Sequence, residues 1–175
     1  GNISDPVIVF NEEHRFLVPE QLKNLNYKSN SIILESIAKN TAPALTLAAL
    51  DISRNKNLDP VMLVLPADHL IGNSSEFHRV INLGNILAEK NNIVMFGIEP
   101  KVANNSYGYI ELGDLINIGK EEESIAYSIN GFIEKPDILI AKDLIESGQY
   151  LWNSGIFMLK ASVWLNAISK YQPDI

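Results

Sequence analysis

Residues 63–71 read LVLPADHLI, and this stretch decides the fold because a strand-forming run ends there at two polar side chains. The aliphatic run from Val61 to Leu65 is typical of a buried strand, and Pro66 stops it. Asp68 and His69 follow almost at once. In open α/β sheets the ligand crevice lies at the carboxyl ends of the strands. We therefore expect these two side chains at a ligand site, the alternative being a turn that happens to be polar.

Outward from this stretch, short apolar runs alternate with segments of helical period. Strands are predicted at PVIVF (6–10), SIILE (31–35), VMLVL (61–65) and IVMFGI (93–98). Helices are predicted in EEHRFLVPEQLKNL (12–25), in NTAPALTLAALDISRN (40–55) with Asn40 or Thr41 as cap, and over residues 74–91 with Ser74 or Ser75 as cap. This alternation is typical of βαβ units and a mostly parallel sheet.

After Pro100 the pattern changes. Strand-like YGYIEL (107–112), AYSINGFIEKP (126–136) and SGIFMLKA (154–161) are separated by polar turns or by one helix in DILIAKDLIESG (137–148). Another helix begins in SVWLNAISKY (162–171). We expect some antiparallel pairing in this region.

Composition limits the functions that this chain can have. Its 175 residues, 46% of them hydrophobic, suffice for one sizeable core, so one domain or part of one is expected. A net charge of −7 without a run of Lys or Arg argues against nucleic-acid binding. The absence of cysteine excludes disulfides and thiolate metal sites, and three scattered histidines disfavour zinc.

No run approaches the roughly 18 apolar residues of a membrane span, so we expect a soluble, cytoplasmic protein. A homo-oligomer is left open.

Polar side chains collect where the predicted strands end. They are Glu35, Asn40, Asp68, His69, the segment 107–109, Glu134, Lys135 and Asn153. Most have an ordinary structural alternative: Asn40 as a helix cap, His69 as a structural hydrogen-bonder, and Glu134 with Lys135 as a solvated ion pair. Asp68 is the exception, because a carboxylate directly after a buried strand suits a hard cation.

Six stretches together resemble a known family. They are NTAPALTLAAL (40–50), LVLPADHLI (63–71), FGIEP (96–100), YGYIELGD (107–114), GFIEKPD (131–137) and YLWNSGIFML (150–159). In this order and spacing they closely resemble the mannose-1-phosphate guanylyltransferases of bacterial polysaccharide synthesis. The resemblance implies a mixed, mostly parallel α/β sheet flanked by helices, of the nucleotide-diphospho-sugar transferase type. It also implies that mannose 1-phosphate attacks the α-phosphorus of GTP, giving GDP-mannose and pyrophosphate.

The resemblance also implies roles for individual residues. Asp68 would bind Mg²⁺ and Lys135 would pair with the sugar phosphate, so these two are the expected catalytic residues. The other expected substrate contacts are Asn40 near the nucleotide, and His69, Gly108, Tyr109, Glu134, Asn153 and Gly155 around the sugar phosphate. Lys135 is chemically apt as a phosphate-pairing charge.

The chain also departs from the family pattern. Residues 1–175 are expected to be a partial nucleotidyltransferase domain, because they contain neither a glycine-rich phosphate loop nor the metal-binding aspartate expected after Ile175. Ser36, Ala38, Lys39 and Ser106 replace the usual residues and bear on base selectivity. We expect the activity to belong to the full-length protein and the segment alone to be inactive. The alternatives are another sugar-1-phosphate nucleotidyltransferase, or a non-catalytic sugar-nucleotide-binding regulatory protein of the same fold.

Overall fold

The computed structural model describes residues 3–36, 41–54, 58–118 and 125–175, which form strands, helices and two compact units. The strands are β1 (Val7–Asn11), β2 (Ser31–Glu35), β3 (Val61–Val64), β4 (Val94–Ile98), β5 (Tyr109–Asn117), β6 (Ile125–Ile133) and β7 (Tyr150–Lys160). The α-helices are α1 (Leu17–Asn24), α2 (Thr41–Ile52), α3 (Ser74–Ala88), α4 (Ile138–Ser147) and α5 (Ala161–Tyr171). The mixed α/β fold predicted from the sequence is confirmed.

The first unit comprises Gly1–Pro60 and Ala161–Ile175. Its strands β1 and β2 pair in parallel, with Val7 opposite Ser31 and Asn11 opposite Glu35. Helix α2 packs against both strands and against α5. Because parallel strands end at the same edge, the polar residues after β1 and β2 share that edge.

Helix α2 buries one face, formed by Leu45, Thr46 and Ala49. These positions follow the i, i+4 spacing that puts side chains on one side of a helix. Thr46 donates its hydroxyl to the Ala42 carbonyl at 2.8 Å and accepts from Trp164 Nε1 at 3.0 Å. A buried polar side chain is thereby satisfied, and α5 is tied to α2.

The second unit is Val61–Lys160, and strand β7 is its centre. Met158 lies opposite Leu63 of β3 on one side and opposite Val94 of β4 on the other. Towards the amino-terminal end of β7, Trp152 lies between β4 and β5 in the same way. Strand β6 then pairs with β5. The strand with the most neighbours therefore carries residues 152–155, which are part of the predicted site.

The direction of pairing differs from the sequence expectation of a mostly parallel sheet. Among the described residues the β1–β2 ladder is parallel, whereas the ladders of β7 with β3, β4 and β5, and of β5 with β6, are antiparallel. Strands β3 and β4 do run in the same direction, as a βαβ unit requires, but β7 lies between them in the opposite direction. Local periodicity could not reveal this insertion, because β7 is distant in sequence.

The start of helix α3 also differs from the expectation. Asn73, rather than Ser74 or Ser75, is the cap, since its Oδ1 accepts from the Glu76 amide at 3.1 Å. The helix ends at Ala88 instead of residue 91. An asparagine side chain competes well with serine for the free amides of a first turn.

Helix α4 covers the part of the sheet that adjoins the site. Asp137 caps its first turn, and Gly148 ends it in the left-handed conformation at φ 68°. Ala141 and Leu144 on α4 pack with Tyr109 into a buried cluster. None of the helices in the described ranges is long and apolar enough to cross a membrane.

Candidate active site

A cleft of about 400 Å³ opens in the second unit where strand ends and turns meet. We call it the cleft, defined by its lining residues Pro66, His69, Ile98, 106–108, Glu134, Lys135 and 152–155. These residues come from five separate stretches of the sequence. Four of those stretches contain side chains that the sequence analysis selected.

Gly108 is buried in the wall of the cleft, and its lack of a side chain is required there. A Cβ at this position would lie 2.8 Å from Glu134 Oε2 and 2.6 Å from Phe132 Cζ. The Gly108 carbonyl accepts from the Asn153 amide at 2.8 Å, which extends the β5–β7 pairing. Glycine therefore lets the backbone approach the Glu134 carboxylate closely.

Glu134 and Lys135 lie together in the cleft lining. Lys135 Nζ is 3.4 Å from Glu134 Oε1, and the two side chains are 62% and 60% exposed. An ion pair this exposed contributes little to stability, at most about 1 kcal/mol. Both groups therefore remain available to a ligand at small energetic cost.

The backbone of Lys135 is strained. Its φ is +46°, a left-handed conformation that costs a residue with a Cβ about 1–2 kcal/mol. The alternation of a regular strand would put neighbouring side chains on opposite faces. The bend at Lys135, immediately before Pro136, is what allows both charged residues to line one cleft.

The opposite wall is the turn-like segment of β7 at residues 153–155. Asn153 Oδ1 accepts from the Gly155 amide at 3.0 Å, and Gly155 has φ +72°. A side chain at Gly155 would be strained at that φ and would touch Pro66. Glycine at this position thus lets β7 stay close to the segment that follows β3.

Asp68 and His69 lie in the turn after β3, as the sequence predicts. The Asp68 side chain is 89% exposed, and its Oδ1 is 4.0 Å from His69 Nε2. His69 lines the cleft, whereas Asp68 is outside the lining. No group of three or more His, Cys, Asp or Glu side chains within the described ranges is arranged to hold a metal ion.

Tyr109 is placed in the core rather than in the cleft lining, where the resemblance had put it. It is fully buried, and its hydroxyl donates to the Asn104 carbonyl at 2.9 Å and accepts from the Asn104 amide at 3.2 Å. Tyr107 lines the cleft instead and is 44% exposed. Its ring lies 5.0 Å from the ring of Trp152, with a tilt of 59°.

Trp152 is therefore a cleft residue that the sequence analysis did not select, and Tyr107 was selected only within the polar segment 107–109, without a role of its own. The sequence contained a signal for each residue: Tyr107 is the first tyrosine of YGY, and Trp152 lies within the motif YLWNSGIFML. Which of two tyrosines two residues apart faces the core depends on where β5 begins. Tyr109 begins β5, where it pairs with both Trp152 of β7 and Ile133 of β6, and Tyr107 precedes the strand.

The first unit has a hollow of its own, of about 510 Å³, at the carboxyl ends of β1 and β2. It is lined by residues 11–13, Arg15, Phe16 and Ser36. Arg15 pairs with Glu12 at 3.0 Å, and its guanidinium lies 4.9 Å from the centre of the Phe16 ring. Asn40, the expected nucleotide contact, lies outside the described residues.

The whole chain, residues 1–175, matches the family described as nucleotidyl transferase. It is 45% identical over 173 residues to the mannose-1-phosphate guanylyltransferase of Klebsiella pneumoniae, covering 99% of this chain and 36% of that protein. It is 42% identical over 170 residues to the xanthan biosynthesis protein XanB of Xanthomonas campestris, covering 97% of this chain and 34% of that protein. The chain thus spans about a third of the length of these curated relatives.

Two solved structures are similar in fold. One carries the description mannose-6-phosphate isomerase from Helicobacter pylori, with a TM-score of 0.82 and 33% identity, covering 98% of this chain and 62% of that one. The other is described as mannose-1-phosphate geranyltransferase from Thermus thermophilus, with a TM-score of 0.76 and 25% identity, covering 95% of this chain and 45% of that one.

Proposed function

Because this chain belongs to the nucleotidyl transferase family, we propose that the protein that carries it makes GDP-mannose and pyrophosphate from GTP and mannose 1-phosphate. The observation that carries the proposal is the cleft, in which Gly108, the pair Glu134 and Lys135, and Asn153 meet from distant stretches of the chain. The similarity to mannose-1-phosphate guanylyltransferases over 99% of this chain supports the choice of substrates.

The proposed reaction is a single displacement at phosphorus. A phosphate oxygen of mannose 1-phosphate bonds to the α-phosphorus of GTP, the bond between that phosphorus and the bridging oxygen breaks, and pyrophosphate leaves. Such a transfer depends mainly on alignment and on compensation of negative charge. It needs no protein nucleophile, so the absence of cysteine from the chain is no obstacle.

The cleft residues have the chemistry to hold the sugar phosphate. Lys135 supplies a flexible cation for its phosphate. Glu134 supplies carboxylate oxygens that accept hydrogen bonds from sugar hydroxyls. The Gly108 backbone allows close approach, with His69, Asn153 and Gly155 completing the walls.

Asp68 is the residue that would hold Mg²⁺. Its carboxylate is 89% exposed, and its contact with His69 Nε2 is long, at 4.0 Å, so among the described residues it is accessible to a cation. Protein-bound Mg²⁺ commonly uses one or two carboxylates together with substrate phosphates, which fits a lone aspartate beside a phosphate-binding cleft. When bound, the ion would supply charge stabilisation on the phosphates.

Asn40 would contact the nucleotide. The reaction would take place in the cytoplasm, the compartment that provides GTP.

The test is product analysis with the protein that carries this chain. We expect GTP and mannose 1-phosphate with Mg²⁺ to give GDP-mannose, measured by reverse-phase chromatography, and an equal amount of pyrophosphate, measured by a coupled enzymatic assay, with neither product formed after chelation. Parallel reactions with ATP, UTP or dTTP, and with glucose 1-phosphate, measure selectivity. Turnover only with another pair of substrates would replace this proposal by a different sugar-1-phosphate nucleotidyltransferase. Tight binding of GDP-mannose with no turnover on any pair would indicate a regulatory protein.

A further inference from the structure

Trp152 has a feature that the proposed reaction does not explain. Its indole Nε1 is buried and has no hydrogen-bond partner among the described residues. A buried donor without an acceptor is destabilising, and such groups are uncommon enough in folded proteins to call for an explanation. The other tryptophan of the chain, Trp164, shows the usual situation, since its Nε1 donates to Thr46 at 3.0 Å.

The surroundings of Trp152 limit where an acceptor could come from. One part of its ring packs against the buried cluster of Tyr109, Ala141 and Leu144. Among the three buried side chains of that cluster the one polar group is the Tyr109 hydroxyl, which already donates to and accepts from the Asn104 backbone. Within the described residues the indole proton finds no acceptor on this side.

On the other side, Trp152 lines the cleft and is in contact with Tyr107. Tyr107 precedes β5 in a segment without regular structure, and 44% of its surface is exposed. An exposed side chain in such a segment changes rotamer readily. Tyr107 is thus suited to act as a movable cover over Trp152.

We propose that Trp152 is a ligand-recognition residue: Tyr107 moves aside when the cleft is occupied, and Trp152 Nε1 donates a hydrogen bond to an oxygen of the sugar phosphate. This inference rests on the proposed function, because it takes mannose 1-phosphate as the occupant of the cleft. It gives the buried indole N–H of Trp152 an acceptor. Loss of one such hydrogen bond should weaken binding about fivefold.

The indole proton of Trp152 gives a direct test by ¹H–¹⁵N NMR. This chain has two tryptophans, and in the protein that carries it the indole signal lost in Trp164→Phe is that of Trp164, whereas the signal lost in Trp152→Phe or Trp152→Tyr is that of Trp152. We expect this signal to move downfield on addition of mannose 1-phosphate, as a hydrogen bond forms. In the unsubstituted protein the Trp164 signal should stay in place and serves as the internal control. Titrations with mannose and with inorganic phosphate distinguish a hydroxyl from a phosphate acceptor.

Kinetics and calorimetry complete the test. Trp152→Phe keeps an aromatic side chain, although a smaller one, and removes the donor, so it should raise KM for mannose 1-phosphate about fivefold and leave KM for GTP unchanged. Mannose 1-phosphate that binds without moving the Trp152 signal would overturn this inference alone. Absence of any binding by calorimetry would overturn the proposed function, and this inference with it. The NMR result stands even if Trp152→Phe folds poorly.

Discussion

At the level of single residues, Asp68 gives the most direct prediction. Asp68→Asn in the protein that carries this chain should reduce kcat more than tenfold, about 1.4 kcal/mol of barrier, because a metal ligand would be lost. The side chain is 89% exposed, so stability should change by less than about 0.5 kcal/mol. Turnover at saturating Mg²⁺ and a thermal melt measure the two effects. Unchanged turnover would remove Asp68 from the proposed metal site.

His78 provides a matched control for that experiment. It is an exposed residue of α3 whose ring lies 6.4 Å from the ring of Phe77, and it is outside the cleft. His78→Gln should leave both turnover and melting temperature close to those of the unsubstituted protein. A large loss of activity would mean that this face of α3 takes part in the reaction.

Lys135 carries the second prediction. Lys135→Ala should raise KM for mannose 1-phosphate and lower kcat, with kcat/KM falling more than tenfold, about 1.4 kcal/mol. Alanine has a Cβ and experiences the same left-handed strain at φ +46°, so the substitution tests the charge rather than the backbone. Steady-state kinetics in which each substrate is varied in turn would measure the effect.

Glu134→Gln is the companion variant. It keeps the size of the side chain and should act mainly on discrimination between mannose 1-phosphate and glucose 1-phosphate, with KM for GTP unchanged. The carboxylate lies beside the Gly108 backbone, where a Cβ would come within 2.8 Å of its Oε2. If neither variant altered the kinetics towards the sugar phosphate, the pair would be an ordinary solvated ion pair.

At the level of secondary structure, the cap of α4 links stability to the site. Asp137 Oδ1 accepts from the amides of Leu139 at 2.9 Å and Ile140 at 3.0 Å. Asp137→Ala should therefore lower the free energy of unfolding by about 1 kcal/mol, whereas Asp137→Asn should retain most of it. Denaturant titration compares the two. Equal stability of both variants and the unsubstituted protein would show that the cap contributes nothing.

Helix α4 explains why the motif GFIEKPD ends in an aspartate. GFIEKPD contains charged residues that line the cleft and an aspartate that caps the following helix. The motif thus combines residues of the cleft lining with the N-cap that begins helix α4. Asp137 is expected to affect activity only through the position of Lys135, two residues before it.

At the level of the whole molecule, we predict that a protein made of residues 1–175 alone forms no detectable GDP-mannose. The printed sequence contains no glycine-rich phosphate loop, whose backbone amides would hold the triphosphate. Exposed apolar side chains on β2, Ile32 at 42% and Leu34 at 44%, also favour self-association. Light scattering and a coupled pyrophosphate assay test both expectations. A stable, active monomer would mean that these residues contain every essential phosphate contact.

The sequence by itself determined the order and type of the secondary structure. Apolar runs that end at Pro, Asn or Asp predicted the strands, and helical spacing predicted the helices, because these patterns depend on residues close together in the chain. The left-handed φ of Lys135 was not foreseeable, since proline favours an extended conformation for the residue before it. Selection of Gly108, Glu134, Lys135 and Asn153 came from motifs, and the roles of these residues remain predictions.

Only the tertiary structure decided how distant strands pair. Strand β7 lies between β3 and β4 and runs against both, so most described ladders are antiparallel. Tyr109, the first residue of β5, pairs with Trp152 of β7 and Ile133 of β6 and lies in the core, whereas Tyr107 precedes the strand and lies in the cleft beside Trp152. The side-chain period of a strand is two, so local sequence gives the alternation, but only contact with a neighbouring strand determines which residues face the ligand.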